Sequence, residues 1–478
     1  MRLSGSLPLL LASAMLAGCA VGPDYHRPVL AAPPTFLGTA AIEARTPLPA
    51  GTMPEKTAWW GMFGDPMMTD LVAKALDQNL DIAQAVSRVT QARAGLRAAD
   101  AALLPSGTVA GSAAALRLSG ETLQGRQLTA FGANRNQEAY EANLGASWEI
   151  DLFGGLRRDR EAAAADYQAS QAGVAAARLS VAAQVADTYI MIRGLQARLS
   201  VANEQVATQR RLVDTIGLQY RKGVAAELQL RQAEGVLAQV QGGVPVLTIA
   251  LDSALNALDV LMGAQPGTYR AQLSRHAVIP AAPAIADIGS PADLLRRRPD
   301  LIVAERRLAA SNARIGSAIS EYFPKLSLTG LIGTAATGPA ALFTGGATQA
   351  QGVAGLRWRL FDFGRVDAEI KVARGRNAEA LAAYRLSVLR ASEDVENSFS
   401  ALVNREDQQR TLAGGEVALA RAQQSSMAAY KGGVVSLIEV LDADTRLLAT
   451  RDALAQARTE SARAAVASFR SLGGAWSG

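Results

Sequence analysis

The sequence predicts an α+β membrane protein that contains two copies of one unit, each with a pair of long strands and very long helices. Three observations favour this fold class. Landmark residues recur at a fixed offset, polar and apolar residues alternate over strand-length segments, and apolar residues recur every seven positions over helix-length segments. Each copy of an internal repeat folds as one supersecondary unit, so the repeat determines the architecture.

Paired landmarks define the repeat. Lying 210 positions apart, the pairs are Trp148 and Trp358, Phe153 and Phe363, Gly154 and Gly364, and Tyr220 and Tyr430. Pro105 and Pro324 also correspond, but they lie 219 positions apart, so the segment between proline and tryptophan is nine residues longer in the first copy. This difference predicts a loop of variable length. Each copy is expected to run helix, strand, loop, strand, very long helix, turn and long helix, with the first copy in residues 59–280 and the second in 281–478.

The N-terminus has the features of an export signal. Arg2 precedes a short apolar stretch, residues 7–17, which has the length of a signal-peptide core. Leu16-Ala17-Gly18-Cys19 follows, and Cys19 is the only cysteine in 478 residues. This pattern resembles a bacterial lipobox. We therefore predict a lipoprotein signal peptide at 1–18, acylation of Cys19 and a lipidated tether at 19–58. An ordinary cleaved signal with an incidental cysteine is the alternative.

Alternation predicts the strands. Residues 139–152 alternate without a slip, with apolar side chains such as Leu144 and Trp148 on one face and polar side chains on the other. Segments 325–332 and 354–360 behave similarly, and the Gly-, Ser- and Ala-rich segment after Pro105 is a weaker candidate. About ten alternating residues is the length of a membrane β-strand. Four strands cannot close a barrel, and an open sheet in lipid leaves its edge groups without hydrogen-bond partners. Either the sheet is soluble or several chains share one barrel.

Heptad spacing predicts the long helices, because a strict period of seven is typical of coiled-coil-like seams. Four series of apolar residues have this period: Val185, Ile192, Leu199, Val206 and Val213; Leu230, Leu237, Val244, Leu251 and Leu258; Val388, Val395 and Leu402; and Val440, Leu447 and Leu454. A helix from about 157 to 218 would extend on the order of 90 Å at 1.5 Å per residue. Pro245 lies within one seam and is expected to kink or break that helix. A two-helix coiled-coil stalk is the alternative.

Composition argues against several classes of function. The chain has 48 Lys and Arg against 43 Asp and Glu, and the two signs are interspersed without the basic, aromatic-interleaved patch typical of nucleic-acid binding. After residue 19 no uncharged apolar run reaches the ~18 residues of a spanning helix. The two histidines, His26 and His276, are far apart in sequence, and no Gly-rich phosphate loop, HExxH pair or CxxC occurs. We predict neither an enzyme nor a cofactor or metal site.

At this point five stretches resemble the outer-membrane factor (TolC-like) family of tripartite efflux systems, and specifically its lipidated NodT/OprM-like branch. They cover nearly the whole mature chain in the expected order. The stretches are CAVGPDYHRP at 19–28, WWGMFGDPMMTDLVAKALDQNLDI at 59–82, LLRRRPDLIVAERRLAASNARIGSAISEYFPKLSL at 294–328, FDFGRVDAEIKVA at 361–373 and AYKGGVVSLIEVLDADTRLL at 429–448.

The resemblance implies a homotrimer in which each chain gives four strands to a shared 12-stranded β-barrel in the Gram-negative outer membrane. The long helices would form a periplasmic α-barrel. Such a channel is a passive exit duct for drugs, toxic compounds or metal ions, and it works with a periplasmic adaptor and an inner-membrane transporter. Trp148 and Trp358 would then face lipid or its interface.

The resemblance also implies a functional site where the long helices reverse. Lys222, Gly223 and Val224, together with Gly432, Gly433 and Val434, fall where family members meet the adaptor. Asp442 and Ile438 fall at gate positions of the closed pore, Glu439 matches an acidic position of the TolC branch, and Tyr430 matches a tyrosine of the closing hydrogen bonds. Val435 replaces a latch arginine of that branch, which puts this latch in doubt. Ser436 and Glu439 also fit a capping box, S-x-x-E, at a helix start.

Two other functions remain open from the sequence: a periplasmic lipoprotein scaffold with coiled-coil stalks and no pore, and a duct for type I protein secretion. The run from Arg296 to Asp300 is basic enough for a ligand site. We interpret it as a helix entry, with Pro299 in the first turn and Asp300 near the positive end of the helix dipole.

Overall fold

The computed structural model describes residues 20–30, 33–45, 58–275, 277–285 and 288–474. Cys19 and His276 lie outside the described residues. The chain forms two compact units, and each unit draws on both repeats. Unit 1 comprises the described residues of 1–28, 89–169 and 304–383, and unit 2 comprises those of 29–88, 170–303 and 384–478.

The first repeat contains the predicted order of elements. After α1 (Thr39–Glu43) and a 3-10 turn (Trp59–Phe63), its elements are α2 (Pro66–Gln78), α3 (Leu80–Ala102), β1 (Ser106–Arg117), α4 (Leu123–Ala130), β2 (Asn136–Ile150), α5 (Gly155–Arg221), α6 (Glu227–Leu261) and α7 (Arg270–Leu273). The Asp65 carboxylate caps α2 by accepting the Met68 N–H at 2.9 Å, and Pro66 occupies the first helical position, where its missing N–H costs nothing.

The second repeat reproduces this order. Its elements are α8 (Pro291–Arg297), α9 (Pro299–Ser320), β3 (Lys325–Ala336), two 3-10 turns (Pro339–Ala341 and Gly345–Ala347), β4 (Thr348–Arg357), α10 (Arg365–Lys431) and α11 (Leu437–Ser471). The helices α5 and α10 have 67 residues each, and α6 and α11 have 35 each. Both pairs begin and end 210 positions apart, which confirms the offset predicted from the landmark residues. The extra residues of the first copy lie between β1 and β2, where they include α4.

The four strands of unit 1 form one antiparallel sheet in the order β1-β2-β3-β4. Directly opposite residues share a face, so the register joins residues across all four strands. One face carries Val109, Leu144, Ile332 and Ala350 in a single row, and the other carries Ser147, Thr329 and Val353. Polar contacts such as Ser106 to Ser147 at 2.9 Å, and Gln349 to Asn143 at 2.8 Å, lie on this second face. The sheet is therefore amphipathic, as the alternation predicted.

Each unit has its own core. In unit 1, α5 and α9 pack through small side chains, which allow the helix axes to approach closely: Ala162, Ala165, Ala309, Ala310 and Ala313. The core of unit 2 is larger and aromatic, and in it the Trp59 ring stacks on Phe469 with 5.4 Å between centroids. The heptad positions Val185, Ile192, Val395 and Leu402 are fully buried there. The predicted seams are therefore packing seams.

The helix α6 continues through Pro245. Of the two outcomes expected at this proline, a kink or a break, the break does not occur. α6 is also the helix, among the described residues, that is long and apolar enough to cross a membrane by length and composition. Near its C-terminal end, however, the Asp259 carboxylate accepts the N–H groups of Gly267 and Tyr269, and Asp252 pairs with Arg270 at 2.7 Å. These bonds tie α6 to the polar segment that follows it.

Candidate functional site

The two reversals of the long helices have the same backbone. The Val224 N–H donates to the Gln219 carbonyl, and the Val434 N–H donates to the Ala429 carbonyl, each at 2.9 Å. These six-residue loops are Schellman motifs, which require a left-handed residue just beyond the helix. Gly223 and Gly433 fill that position, with φ of 71° and 72°. Glycine is needed at both places because a side chain is strained in this conformation.

The predicted adaptor-contact residues are all exposed. Lys222, Gly223 and Val224 lie in the first reversal, and Gly432, Gly433 and Val434 lie at the equivalent positions of the second. In a Schellman motif the residue after the glycine often packs back on its own helix. Here the side chains of Val224 and Val434 are 76% and 79% exposed instead. Each reversal therefore presents an apolar side chain that its own chain does not cover.

A short core holds the reversals together. Leu212 and Ile216 of α5 pack with Leu437 and Val440 of α11 and with Ala233 of α6. The half-buried Tyr430 adds a polar link, because its hydroxyl donates to the Gln219 Oε1 at 3.0 Å. The structure therefore brings the predicted Tyr430 beside the first reversal, although the two residues are 211 positions apart.

In the first turns of α11, three of the predicted gate residues lie on the side of the helix away from this core. Leu437 and Val440 face inward, whereas Ile438, Glu439 and Asp442 are exposed along the opposite side of the helix. Residues three and four apart share a helix face, so these three side chains form one stripe. We refer to Ile438, Glu439 and Asp442 as the α11 stripe.

Asp442 has a partner that the sequence analysis missed. Its carboxylate accepts from the Arg446 guanidinium at 2.9 Å, one helical turn further along. The i, i+4 spacing of an acid and a base could have indicated this pair. Arg446 extends the α11 stripe by one turn and gives it both charge signs.

The capping box predicted for Ser436 and Glu439 does not form. Ser436 is the N-cap residue in extended conformation, but its side chain accepts no hydrogen bond from the first turn. The equivalent position in the first repeat is Ala226, whose N–H donates to the Gln229 side chain at 3.1 Å. Glu439 is therefore not engaged as a capping-box partner of Ser436 and lies exposed in the α11 stripe.

A buried carboxylate lies just beyond the stripe. Asp444 is 3% exposed, and its Oδ2 has no hydrogen-bond partner. Burial raises the pKa of this carboxyl above its ordinary value, against the opposing effects of the Gln423 side chain and the Arg451 charge. Gln209 of α5 is also fully buried, and neither polar atom of its side chain has a partner. The sequence pattern did not reveal these two buried polar residues, because both lie within apolar seams.

The segment after Cys19 is firmly attached to unit 1. The Val21 N–H donates to the Phe153 carbonyl at 3.0 Å, just past the end of β2. Arg158 donates to the Val21 carbonyl and to Asp24, and it holds the pKa of Asp24 below its usual range. A side chain at Gly154 would collide with Ala20. The residue that follows Cys19 is thus held next to the end of a sheet strand.

The other candidates are structural. Arg298 donates to Asp300, Asp394 and the Ser471 carbonyl, and Pro299 begins α9, so the basic run is a helix entry as predicted. Within the described ranges, no group of three or more His, Cys, Asp or Glu side chains is placed to hold a metal ion.

Comparison with known proteins agrees with this architecture. The family model described as outer membrane efflux protein matches residues 71–264 and 291–474. The pyoverdine export outer membrane protein OpmQ of Pseudomonas putida is 32% identical over 450 residues, which cover 93% of this chain and 94% of that protein. Nodulation protein T of Rhizobium leguminosarum bv. trifolii is 29% identical, over 94% of this chain and 93% of that protein.

Solved structures show the same fold. The outer-membrane channel OprN superposes with a TM-score of 0.86 at 32% identity, over 95% of this chain and 99% of that chain. OprN is an outer-membrane channel, and the two matched segments of the family model together cover most of the present chain. The chain is a TolC-like outer-membrane efflux channel subunit and belongs to the outer membrane efflux protein family.

Proposed function

We propose that three copies of the chain form one passive exit channel, in which the amphipathic sheet crosses the outer membrane. The observation that carries this proposal is the sheet itself, because it has an apolar face, a polar face and two free edges, β1 and β4. In hydrocarbon each unpaired backbone group costs several kcal/mol, so the edges require strand partners. Three sheets closed edge to edge give twelve strands with the polar face toward a water-filled lumen.

The reversals serve as the contact for a periplasmic adaptor, which connects the channel to an inner-membrane transporter. Support comes from the exposed Val224 and Val434. Each follows a glycine, which has no side chain to cover the neighbouring backbone. Exposed apolar side chains at a fixed turn are suited to docking against apolar positions of a helical hairpin. Lys222 adds a cation to the first reversal that Gly432 does not add to the second, so the two contacts are not identical.

The α11 stripe forms the resting gate. In a trimer, Ile438 and Asp442 each become a ring of three side chains that faces the pore. An apolar ring closes a narrow pore by dewetting, and a carboxylate ring favours cations over anions. Arg446 neutralises part of the Asp442 charge in each chain and links successive turns of the stripe. Glu439 adds a second acidic ring beside Ile438.

Acylation of Cys19 anchors the channel to the outer membrane from its periplasmic side. The contact of Ala20 and Val21 with the chain just past β2 supports this proposal, because a lipid on the residue before Ala20 would then enter the membrane beside the strands that we propose to cross it. The channel binds no cofactor and performs no reaction. The solutes are small molecules, and the inner-membrane transporter determines which of them enter.

The gate can be tested by single-channel conductance in planar bilayers. Asp442→Ala removes a ring of charge and the Arg446 pairs, so the resting conductance is expected to rise at least threefold. Asp252→Ala is the matched control, because Asp252 is also a helical aspartate paired with an arginine and is partly exposed, but it lies in α6 far along the chain from the reversals. Equal resting conductance in Asp442→Ala, Asp252→Ala and the wild type would exclude the α11 stripe as the gate.

A further inference from the structure

The repeat relation extends to the pairing of individual strand residues. Ser106 of β1 lies opposite Ser147 of β2. Their equivalents in the second copy, found with the offsets of 219 and 210 positions, are Lys325 and Arg357, and these two residues also lie opposite each other. The register of the first hairpin is thus repeated without a slip in the second.

Side-chain contacts follow the same relation. The Trp148 indole N–H donates to the Leu103 carbonyl at 2.9 Å, and the Trp358 indole N–H donates to the Tyr322 carbonyl at 3.0 Å. Leu103 and Tyr322 are 219 positions apart, as are Pro105 and Pro324. The two offsets therefore relate individual hydrogen bonds of one copy to those of the other.

One strand end breaks this equivalence. β2 continues to Ile150, and its last three residues pair only with β3, for example Trp148 with Leu328. β4 ends at Arg357, although the equivalent residues Trp358 to Leu360 follow it. The difference has a simple cause: β2 has β3 as a second neighbour, whereas β4 is the edge of the sheet.

We infer that β4 of one copy pairs with β1 of a second copy in the register that β2 and β3 already show within the chain. The β2 residue of each pair is replaced by its β4 equivalent, 210 positions later, and the β3 residue by its β1 equivalent, 219 positions earlier. The pair of Ile150 and Leu326 then predicts that Leu360 lies opposite Gly107 of the second copy. The pair of Tyr140 and Ala336 predicts that Ala350 lies opposite Arg117 of the second copy. This inference rests on the proposed assembly and adds to it the residue pairs at the contact between copies.

Two independent features fit this register. A slip of one residue would exchange the faces of a strand, but the inferred pairs, such as Ala354 with Ala113, keep the apolar face continuous. In addition, Phe153 stacks on Phe323 within the chain, at 4.6 Å between centroids. Phe363 is equivalent to Phe153, and Leu104 is equivalent to Phe323, so the inferred register brings Phe363 of one copy beside Leu104 of the next. Both are exposed in the single chain, and Phe363 is held fully exposed at a φ of 52° that side chains rarely adopt.

Disulfide cross-linking tests the register, since Cys19 is the only native cysteine. Facing residues of antiparallel strands alternate between narrow pairs, with Cα atoms about 4.5 Å apart, and wide pairs, with Cα atoms about 5.5 Å apart. Both separations are within the range of a disulfide, but the two kinds of pair orient their side chains differently and do not cross-link equally well. Two neighbouring pairs are therefore introduced: Ala113→Cys with Ala354→Cys, and Ala114→Cys with Val353→Cys. The shifted controls, Gly111→Cys or Ala115→Cys with Ala354→Cys, keep the same face but move the register by two residues. Variants with only one of the introduced cysteines serve as controls for disulfide formation with Cys19.

At least one inferred pair is expected to give covalent dimers and trimers on a denaturing gel after mild oxidation, in at least tenfold higher yield than either shifted control. A sample that has the mass of three chains but cross-links through a shifted control, or through none of the pairs, would overturn the register and leave the assembly intact. A sample with the mass of one chain in every variant and in the wild type would overturn the proposed assembly as well.

Discussion

The helices α6 and α11 occupy equivalent places in the two repeats, but their surroundings differ. Each has 35 residues, and five are buried in α6 against seventeen in α11. α11 lies between two long helices: Arg463 pairs with Asp187 of α5 at 2.8 Å, and Arg451 pairs with Glu416 of α10 at 3.0 Å. α6 instead exposes a row of apolar side chains, Val246, Ile249 and Val260.

The difference indicates which helix face lacks a packing partner within the chain. Ile249 of α6 is equivalent to Thr459 of α11, which is buried against Gly194 of α5 so closely that a methyl group on this glycine would collide with it. The equivalent of Gly194 in α10 is the exposed Asn404. In the proposed trimer, Ile249 of one copy therefore faces Asn404 of the next. The same face accounts for the high hydropathy of α6.

The largest expected effect is on assembly. Ile249→Asp places a charge on the exposed face of α6, where it is harmless in a single chain but is desolvated between copies. We expect the trimer fraction in mild detergent, measured by native mass spectrometry, to fall at least tenfold. Leu123→Asp, at an exposed leucine of α4, serves as the control and should leave assembly unchanged. A normal trimer fraction in Ile249→Asp would show that this face is not an interface.

Next in size is the close contact inside the chain. Gly194→Ala forces a methyl group against Thr459, and overpacking of this kind costs about 1–3 kcal/mol. Gly173→Ala lies in the same helix, α5, with open space around the added carbon, so helix propensity should stabilise it by about 0.5–1 kcal/mol. Thermal unfolding of the two variants should therefore shift in opposite directions. A shift in the same direction would contradict the packing of α5 on α11.

A smaller effect concerns the buried acid of α11. Because the folded pKa of Asp444 is raised above the ordinary 3.8, the folded chain holds this proton to higher pH than the unfolded chain does. The stability contributed by Asp444 is complete below pH 3.8 and is lost as the pH rises through the folded pKa. Asp444→Asn removes this loss, and an unsatisfied buried group typically costs on the order of 1 kcal/mol. Glu234, the equivalent in α6, pairs with Arg231 and is partly exposed.

The check is thermal unfolding of Asp444→Asn and the wild type between pH 4 and pH 8. The stability advantage of the variant should increase with pH, whereas Glu234→Gln should show no such trend. A variant that is less stable than the wild type at neutral pH would mean that the charged carboxylate is needed at this position.

The smallest effect separates the two helix starts. Ser436→Ala should change the unfolding free energy by less than about 0.5 kcal/mol, because the serine side chain makes no capping bond and alanine already occupies the equivalent Ala226. A loss of about 1 kcal/mol or more in thermal unfolding would indicate that Ser436 does cap α11.

Much of the fold could be predicted from the sequence, because its signals are periodic and occur twice. Alternation predicted the strands and heptads predicted the seams, and the offset of 210 positions located Gly223 and Gly433 at equivalent turns. The adaptor and gate residues remain predictions. In the structure they lie at or beside these turns, and all of them are exposed except the half-buried Tyr430.

Other features depend on tertiary surroundings that a linear pattern does not contain. The box of Ser436 and Glu439 has the right spacing but does not form. Pro245 is accommodated without breaking α6, and α4 forms within a loop that had no helical signal. The burial of Asp444 depends on which face of α11 packs beside α10, where Gln423 lies next to its carboxyl. The sequence also does not distinguish contacts within the chain from contacts between copies, since an apolar residue such as Ile249 fits either one equally well.

The central claim is that three copies complete the edges that one chain leaves open. The most direct test is to measure the mass and the ion conductance of the same wild-type sample in mild detergent and in planar bilayers. The account predicts particles of three chains, each about 49.9 kDa before processing, that insert as conducting channels. Particles of a single chain that leave the bilayer insulating would contradict it.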